Sequence, residues 1–352
     1  MMSKVENVSG GPTSRGAQLL AGPRGRQVCA SVALQQFPDL HLAHDRSQLA
    51  TFLEHLDQVD TEAIAALKDP LDLVAALSSS VDSAMYWQEP HEENRLLYDP
   101  AIVTALEPVA RALAAAPAAD WWWSPADLGQ QAITRWLDRG KAKPPELVGV
   151  RDRLDQWRSD TIAEEHRAAK ERPAAFYANY SGSWWSTPVM ADIITTSRRI
   201  GDLPAAQLEL VEDSMGWTSA QVAAVRVRPQ AKVYEISNPD DWVEFVQHYP
   251  LDVDRSRRHD WWRATGGTGP WQIPDWLAVR KDHDGVHLSV IAYLAGAGRA
   301  LPTRHGQTVL AGFDPDLTYW LTDDSIQTNP PDTWNALDDD DGHRQWVPNL
   351  SR

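Results

Sequence analysis

The stretch AAVRVRPQAKVYEI, residues 223–236, decides the fold class. It is rich in β-branched and aromatic residues and is bounded by Pro and Asp, a composition typical of strands. Similar β-rich runs follow at 284–294 and 307–313. Short helical segments separate these runs irregularly, so the sequence predicts an α+β domain with a split, mixed α/β sheet and no regular βαβ repeats.

Upstream of this domain, the apolar residues recur at helical spacing. Asp45 and Thr61 stand where helix N-caps are expected. The block at 99–117 begins with Asp99 as a cap and Pro100 at the first helical position, and it ends before a proline. The first part of the chain is therefore predicted to be mainly helical.

The predicted domain organisation follows changes in composition. A long, charged, amphipathic stretch ends at Pro173, which favours a helical region over 26–172 and the α+β domain over 173–325. Residues 1–25, rich in Gly and Ser, are expected to form a flexible leader. Residues 326–352 are expected to form a solvated acidic tail, because the acidic stretch that leads into them contains no Lys or Arg.

Composition excludes several classes of function. The formal net charge of −16 opposes binding to nucleic acid. Cys29 is the only cysteine, which excludes intrachain disulfides and cysteine-based metal sites and favours the cytoplasm. No apolar run approaches the ~20 residues that cross a bilayer, and the N-terminus lacks the apolar core of a signal peptide. Neither a membrane nor a metal is expected as a partner.

The stretch SGSWWSTP, residues 181–188, is the first candidate site. We expect a strand that leads through Pro188 into a helix, with the hydroxyls of Ser183, Ser186 and Thr187 near a helix start that favours anions. A structural interpretation, in which a core indole lies beside a helix cap, accounts for the same residues.

The two tryptophans of this stretch, Trp184 and Trp185, should point to opposite faces of an extended segment. One of them would then join the core while the other covers a pocket. The sequence does not decide which.

Acidic residues of the later β-runs are the second candidate site. Glu235 either faces solvent near Lys232 or projects into a cleft, where a buried carboxylate needs a partner or a raised pKa. Asp314 and Asp316 lie at a proline-centred turn before a new strand, where carboxylates either stabilise a cationic transition state or only end the strand.

Histidines near a tight turn give a third observation. His287 is the first polar residue of an otherwise apolar strand, where its ring contacts a ligand or satisfies a neighbouring carbonyl. A metal site shared with His283 is disfavoured, because Gly285 between them argues against the helix that such spacing needs. Asp275, directly after a proline, is expected to cap a short helix.

Taken together, SGSWWSTP, VYEISNPDDWVEFVQHYP, PDWLAVRKDHDGVHLSVIAYL and VLAGFDPDLTYWL resemble actinobacterial proteins of unassigned activity. More distantly, residues 174–323 resemble the ADP-ribosyltransferase-like fold, a split mixed sheet that binds NAD in a cleft. The resemblance implies that Ser186 and Thr187 belong to the hydroxyl-bearing strand and that Trp184 or Trp185 stacks on nicotinamide.

The resemblance also implies that Asp316 occupies the late acidic position, where the family has glutamate. No arginine or histidine is assigned to the first strand, where the family has one. The predicted catalytic residues are therefore Glu235, Asp316 and His287, and the predicted NAD-binding residues run from Ser183 to Thr187.

The sequence leaves three functions open. The first is an intracellular group-transfer enzyme that uses NAD and modifies a small molecule or a protein acceptor. The second is a specialised-metabolism enzyme whose acidic residues bind a small amino-bearing substrate while tryptophans exclude water. The third is a non-catalytic acidic protein of the immunity type that docks on a basic partner. The oligomeric state is not predicted.

Overall fold

The computed structural model describes residues 14–38, 40, 47–137, 148–338 and 344–349. Nine helices precede residue 172 in this part of the chain. They are α1 (Arg15–Ala21), α2 (Pro23–Leu34), α3 (Leu49–Leu56), α4 (Thr61–Ala65), α5 (Val74–Asp82), α6 (Glu92–Leu96), α7 (Pro100–Ala105), α8 (Glu107–Ala115) and α9 (Val150–Glu171).

Four further helices lie among the later strands: α10 (Pro239–His248), α11 (Asp254–Thr265), α12 (Trp276–Val279) and α13 (Val290–Gly296). The strands are β1 (Gln131–Trp136), β2 (Thr195–Arg198), β3 (Ser219–Val227), β4 (Val233–Ile236), β5 (Pro250–Asp252), β6 (Gln272–Pro274), β7 (Gly285–Leu288), β8 (Leu301–Thr303), β9 (Gly306–Thr308), β10 (Leu317–Trp320), β11 (Ile326–Thr328), β12 (Asp332–Asp338) and β13 (Arg344–Pro348). The protein is α+β, as predicted.

One mixed sheet organises the fold. Its strand order is β13-β12-β3-β1-β2-β10-β7-β4, with β11 also paired to β3. Every pairing in it is antiparallel except that of β4 with β7. β5 pairs with β6 and β8 with β9 in two separate small ladders.

The sheet and the core join the two predicted regions. β1 comes from the region expected to be mainly helical, yet it lies between β3 and β2. A single buried cluster contains side chains from both sides of Pro173, including Leu19 and Leu317. Six tryptophans are almost completely buried, which accounts for much of the unusual Trp content: Trp122, Trp242, Trp261, Trp271, Trp276 and Trp320.

Several helix ends follow local sequence signals. Asp99 caps α7 by accepting from the backbone N–H of Ala101, as predicted. Asp275 caps α12 by accepting from the N–H of Ala278, also as predicted. The cap of α4 is Asp60, one residue before the predicted Thr61, because its carboxylate accepts from two backbone N–H groups. The predicted cap Asp45 lies outside the described residues.

Two terminal predictions are corrected. Residues 15–25 are not a flexible leader, because they belong to α1 and α2 and bury Leu19 against α8 and α13. The chain after residue 326 is not simply a solvated tail, since β11 and β12 pair with β3 and β13 pairs with β12. Apolar residues alternating with the polar ones, such as the buried Trp346, attach this hairpin to the core.

The elements near SGSWWSTP also differ from the prediction. The helix expected after Pro188 is only a single 3-10 turn, Val189–Ala191, and it is followed by β2. The β-branched run Ile193 to Thr196 favours a strand there. The run 284–294 is a strand only to Leu288, because Ser289 then caps α13.

Candidate functional site

An open cleft of about 490 Å³ lies beside the SGSWWSTP segment, between α9, α11 and residues 183–192. We call it the α9 cleft. Its walls combine aromatic, hydroxyl, acidic and basic side chains. They come from Arg153, Gln156, Trp157, Asp160, Thr161, Glu164, Arg167, Ser183, Trp185, Thr187, Val189, Met190, Ala191, Asp192 and Arg257.

Three of the five predicted NAD-binding residues line the α9 cleft: Ser183, Trp185 and Thr187. The other two do not. The Ser186 hydroxyl is buried, where it donates to the Ala311 carbonyl and accepts from the N–H of the same residue.

Trp184 packs away from the cleft against Tyr86 and Trp87. The expectation that Trp184 and Trp185 point to opposite faces is wrong, because their rings lie 4.6 Å apart. The segment is irregular at this point, so the two-residue alternation of a strand does not apply. The Trp184 ring therefore packs behind the Trp185 ring, and Trp185 forms the wall of the cleft.

A half-buried carboxylate, that of Glu164, organises the base of the cleft. Glu164 on α9 accepts from Arg172 at 2.7 Å, from Arg257 at 3.2 Å and from the hydroxyl of Ser183 at 2.9 and 3.0 Å. Burial alone would raise the pKa of Glu164, but the charge of Arg257 and the bonds from Arg172 and Ser183 outweigh it, so the pKa is lowered. Glu164 is therefore ionised at neutral pH.

Arg257 on α11 brings a buried positive charge to the same wall. Its Nε donates to the Trp185 carbonyl at 3.3 Å and its Nη1 donates to Glu164. Its Nη2 has no protein acceptor among the described residues. Burial lowers the pKa of Arg257, and Glu164 only partly restores it. A buried guanidinium with a spare donor facing a cleft suits an anionic ligand group.

The contribution of α9 to the cleft was not predicted. Trp157, Thr161 and Glu164 all line the cleft, at positions i, i+4 and i+7 of one helix. That spacing puts them on one face, so the signal was present in the sequence. What the sequence does not show is that this face packs against α11 and the Trp185 segment.

The three predicted catalytic residues also come together, at a different place. His287 Nδ1 lies 2.6 Å from Glu235 Oε2, and His287 Nε2 lies 3.3 Å from Asp316 Oδ1. Arg198 extends the row, because its Nε donates to Asp316 Oδ1 at 2.6 Å and its backbone N–H donates to Oδ2 at 2.9 Å. We call these four residues the charge chain.

The sheet positions the charge chain. Glu235 pairs with His287 in the register of β4 and β7, while Asp316 directly precedes β10 and Arg198 ends β2. Positive and negative groups alternate along these four neighbouring strands. Burial would lower the pKa of His287, but its bonds to Asp316 and Glu235 outweigh burial and raise it. His287 therefore holds a proton between two carboxylates, and both ring nitrogens contact side chains of the described structure in place of the predicted carbonyl.

The 3-10 turn Pro117–Trp123 and the residues that follow it cover the charge chain. The Ala126 N–H donates to Glu235 at 3.2 Å, Arg198 Nη2 donates to the Pro125 carbonyl at 2.8 Å, and the Trp121 ring lies under the Arg198 guanidinium. Only Glu235 keeps appreciable exposure, with 29% of its side chain accessible. Sequence reasoning missed Arg198 because β2 was expected to be helical.

The predicted NAD-binding residues and the predicted catalytic residues do not line the same cavity. None of Glu235, His287 and Asp316 lines the α9 cleft. In the part of the chain that the structure describes, no group of three or more His, Cys, Asp or Glu residues is arranged to hold a metal ion. None of the helices described has the length and apolarity that crossing a membrane requires.

Comparison of the chain with protein-family models, with curated proteins and with solved structures found no match in any of the three.

Proposed function

We propose that the protein is a group-transfer enzyme that takes NAD as its substrate and binds it in the α9 cleft. The observation that carries the proposal is that Trp185 and Arg257 line the same cleft. An indole offers a face to a nicotinamide or adenine ring, and a guanidinium offers donors to phosphate oxygens. The cleft therefore suits ligands that combine an aromatic ring with phosphate groups. Among these ligands, the resemblance of residues 174–323 to ADP-ribosyltransferases supports NAD.

The size of the cleft and the exposed Arg167 support the same ligand class. Its volume of about 490 Å³ falls within the range of roughly 300–1,000 Å³ typical of small-molecule sites. The exposed Arg167 at its rim has no ion pair within the described residues, so its charge is available to a phosphate.

ADP-ribosyl transfer breaks the bond between the ribose carbon and the nicotinamide nitrogen, and nicotinamide leaves with the bonding pair. An acceptor oxygen or nitrogen supplies the pair for the new bond and gives up its proton. A carboxylate stabilises the positive charge that develops on the ribose. Asp160 suits this role, because among the described residues it accepts only from Gln156, at 2.9 Å, whereas both oxygens of Glu164 are occupied.

The proposal gives the charge chain a supporting role. Glu235, His287 and Asp316 do not line the α9 cleft, so they hold four strands in register and do not contact the substrate. A competing hypothesis places NAD at the exposed edge of Glu235. The experiment described next tests both locations.

The test measures NAD binding by calorimetry and by quenching of tryptophan fluorescence, together with release of free nicotinamide. We expect saturable binding by the wild-type chain, and a loss of at least tenfold in affinity in both Trp185→Leu and Arg257→Gln. Arg255→Gln, on the same helix but outside the cleft, and Trp217→Leu, at a separate stacked pair, serve as matched controls. Asp160→Asn should keep affinity and lose nicotinamide release.

Three results would contradict the proposal. Saturating NAD that changes neither fluorescence nor melting temperature excludes the substrate. Binding that survives Arg257→Gln but is lost in Glu235→Gln moves the site to the charge chain. Equal losses in the matched controls show that the variants act through stability alone.

A second candidate function is favoured by the acidic side of the cleft. Asp160, Glu164 and Asp192 also line it, and carboxylates beside indoles suit a small amino-bearing substrate. Tryptamine is a suitable probe. If it raises the melting temperature in a saturable way and Asp160→Asn removes the effect, while NAD has none, the amine-binding function replaces the first.

A further inference from the structure

Arg24 is a buried charge without a carboxylate partner in the part of the chain that the structure describes. It is the second residue of α2 and only 6% exposed. Its Nη1 donates to Gln27 Oε1 at 3.1 Å, to the Ser80 carbonyl at 3.1 Å and to Ser83 Oγ at 2.6 Å, all neutral acceptors. Its buried Nε has no hydrogen-bond partner in the described structure. A buried guanidinium is costly unless a negative charge compensates it.

The nearest carboxylates do not compensate this charge. Glu212 binds Tyr86, which lies beside Arg24, but burial and the neighbouring Asp314 raise the pKa of Glu212 to about 8, so it is neutral near pH 7. Glu89 lies at the rim, where its side chain is 60% exposed and pairs with Arg95 at 3.2 Å.

Arg24 faces a small cavity of about 30 Å³ at the start of α2. Its walls include Pro23, Arg24, Ser83, Tyr86, His91 and Asn94. The N-cap of α2 is Gly22, which supplies no side-chain acceptor to the first N–H groups of the helix. The positive end of a twelve-residue helix and an uncompensated guanidinium therefore meet at one cavity.

We propose that this cavity is a binding site for a small monovalent inorganic anion, with chloride as the ion that fits. The two sources of positive potential supply the attraction, and the side-chain NH2 of Asn94, whose Oδ1 accepts from Arg24, adds a neutral donor to the surroundings. The volume suits about two waters or one monatomic anion, which excludes a phosphate or a nucleotide. The site is therefore separate from the α9 cleft and independent of the function proposed for it.

The position of the site predicts its effect. Ser80 and Ser83 come from α5 and the residue after it, while Asn94 comes from α6, so Arg24 already links three helices. An anion bound beside Arg24 would stabilise this link only in the folded chain, and stability should then rise with anion concentration until the site is full.

The test compares thermal unfolding of the full chain in sodium chloride and in sodium gluconate at constant ionic strength, because gluconate is too large for the cavity. We expect a saturable rise in melting temperature in chloride, of a few degrees. Arg24→Gln should lose this difference. Arg26→Gln is the matched control, since Arg26 lies on the same helix, donates to the Leu20 and Leu97 carbonyls and does not line the cavity.

Line broadening of the chloride-35 NMR signal by the wild-type protein, reversed by bromide, gives a direct readout that does not depend on the stability of a variant. Arg24→Lys should retain part of the broadening, because it keeps the charge. The proposal is overturned if wild-type protein does not broaden the signal. It is also overturned if the chloride and gluconate curves differ equally in wild type and Arg24→Gln.

Discussion

The carboxylate of Asp316 holds Arg198 by both its side chain and its backbone: Oδ1 accepts from Nε at 2.6 Å and Oδ2 accepts from the backbone N–H at 2.9 Å. Both side chains are more than nine-tenths buried. The pair therefore fixes β2 to the start of β10 in a region where solvent does not weaken the attraction.

Removing either partner of this pair should be costly, because the other is left buried without its partner. We expect Asp316→Asn to lower the free energy of unfolding by about 3–5 kcal/mol, because it leaves Arg198 buried without its carboxylate. Asparagine tolerates the positive φ of 59° at this position, so the substitution adds no backbone strain to the measured loss of stability. Denaturant unfolding measures the loss.

A double-mutant cycle with Arg198→Gln provides the control. The double variant should be destabilised by clearly less than the sum of the two single variants. Additive losses would mean that the two residues act independently.

The charge chain should also make stability depend on pH through His287. Its folded pKa is raised above the unfolded value of about 6.5. The folded state then binds the proton more tightly, so the stabilisation is fully present below about pH 6.5 and is lost as pH rises through the folded pKa. We expect His287→Gln to lose stability most at pH 6 and to have a flatter profile than wild type above it.

This pH profile has a built-in control. His283 is partly exposed and burial lowers its pKa, so its contribution has the opposite sign. His283→Gln should therefore not flatten the decline at high pH. If wild type and His287→Gln have parallel profiles, His287 does not hold the proton that the geometry assigns to it.

Local signals in the sequence predicted local structure. Asp99 and Asp275 cap helices as expected, because a cap depends only on a side chain and the next three residues. The long helix before Pro173 is confirmed as α9 for the same reason: its apolar spacing and its proline are adjacent in sequence. The strand at Thr318 is also confirmed.

The order of the strands and the composition of the α9 cleft could not be predicted from such local signals. β1 enters the sheet from a region dominated by helices, and nothing local to it indicates pairing with β2 and β3. The α9 cleft needs residues from α9, α11 and the Trp185 segment, which meet only in the folded chain. His287 could be recognised as unusual, but its two carboxylates come from different strands.

Gly312 should be essential to the shape of the α9 cleft. It has a φ of 73°, and a Cβ added to it would lie 2.5 Å from Cδ1 of Trp185. We expect Gly312→Ala to cost roughly 1–3 kcal/mol of stability and to displace the Trp185 ring, because both the backbone and the indole must adjust. The displacement should appear as a shift in tryptophan emission.

Gly216 separates the two causes of this loss. Its φ is 68°, but apart from its two chain neighbours no atom of the described residues lies within 4 Å of an added Cβ. Gly216→Ala should therefore show the backbone cost alone, of about 1 kcal/mol, with unchanged emission. Equal losses and equal spectra for the two variants would rule out the contact between Gly312 and Trp185 as the cause.

Glu212 and Asp314 should make the protein less stable as pH rises. Glu212 accepts from Tyr86 and from the N–H of Gly312, both at 2.6 Å, while Asp314 accepts from the N–H of Glu212. Burial raises the pKa of Glu212 to about 8, helped by the charge of Asp314, and burial raises the pKa of Asp314 to about 6.

The sign follows from proton binding. Between the unfolded pKa of each carboxyl and its raised folded value, the folded chain holds more protons, so stability falls with increasing pH, by on the order of 1 kcal/mol per pH unit for each group. Asp314→Asn should flatten the profile mainly between about pH 4 and 6. Glu212→Gln should flatten it over the wider window between about pH 4.5 and 8, because Glu212 stays protonated in the folded chain over that whole range. Chemical denaturation from pH 4 to 9 measures both profiles. The contrary outcome is a wild-type stability that rises from pH 6 to 8, with the same slope in Glu212→Gln. It would show that Glu212 is ionised in the folded protein.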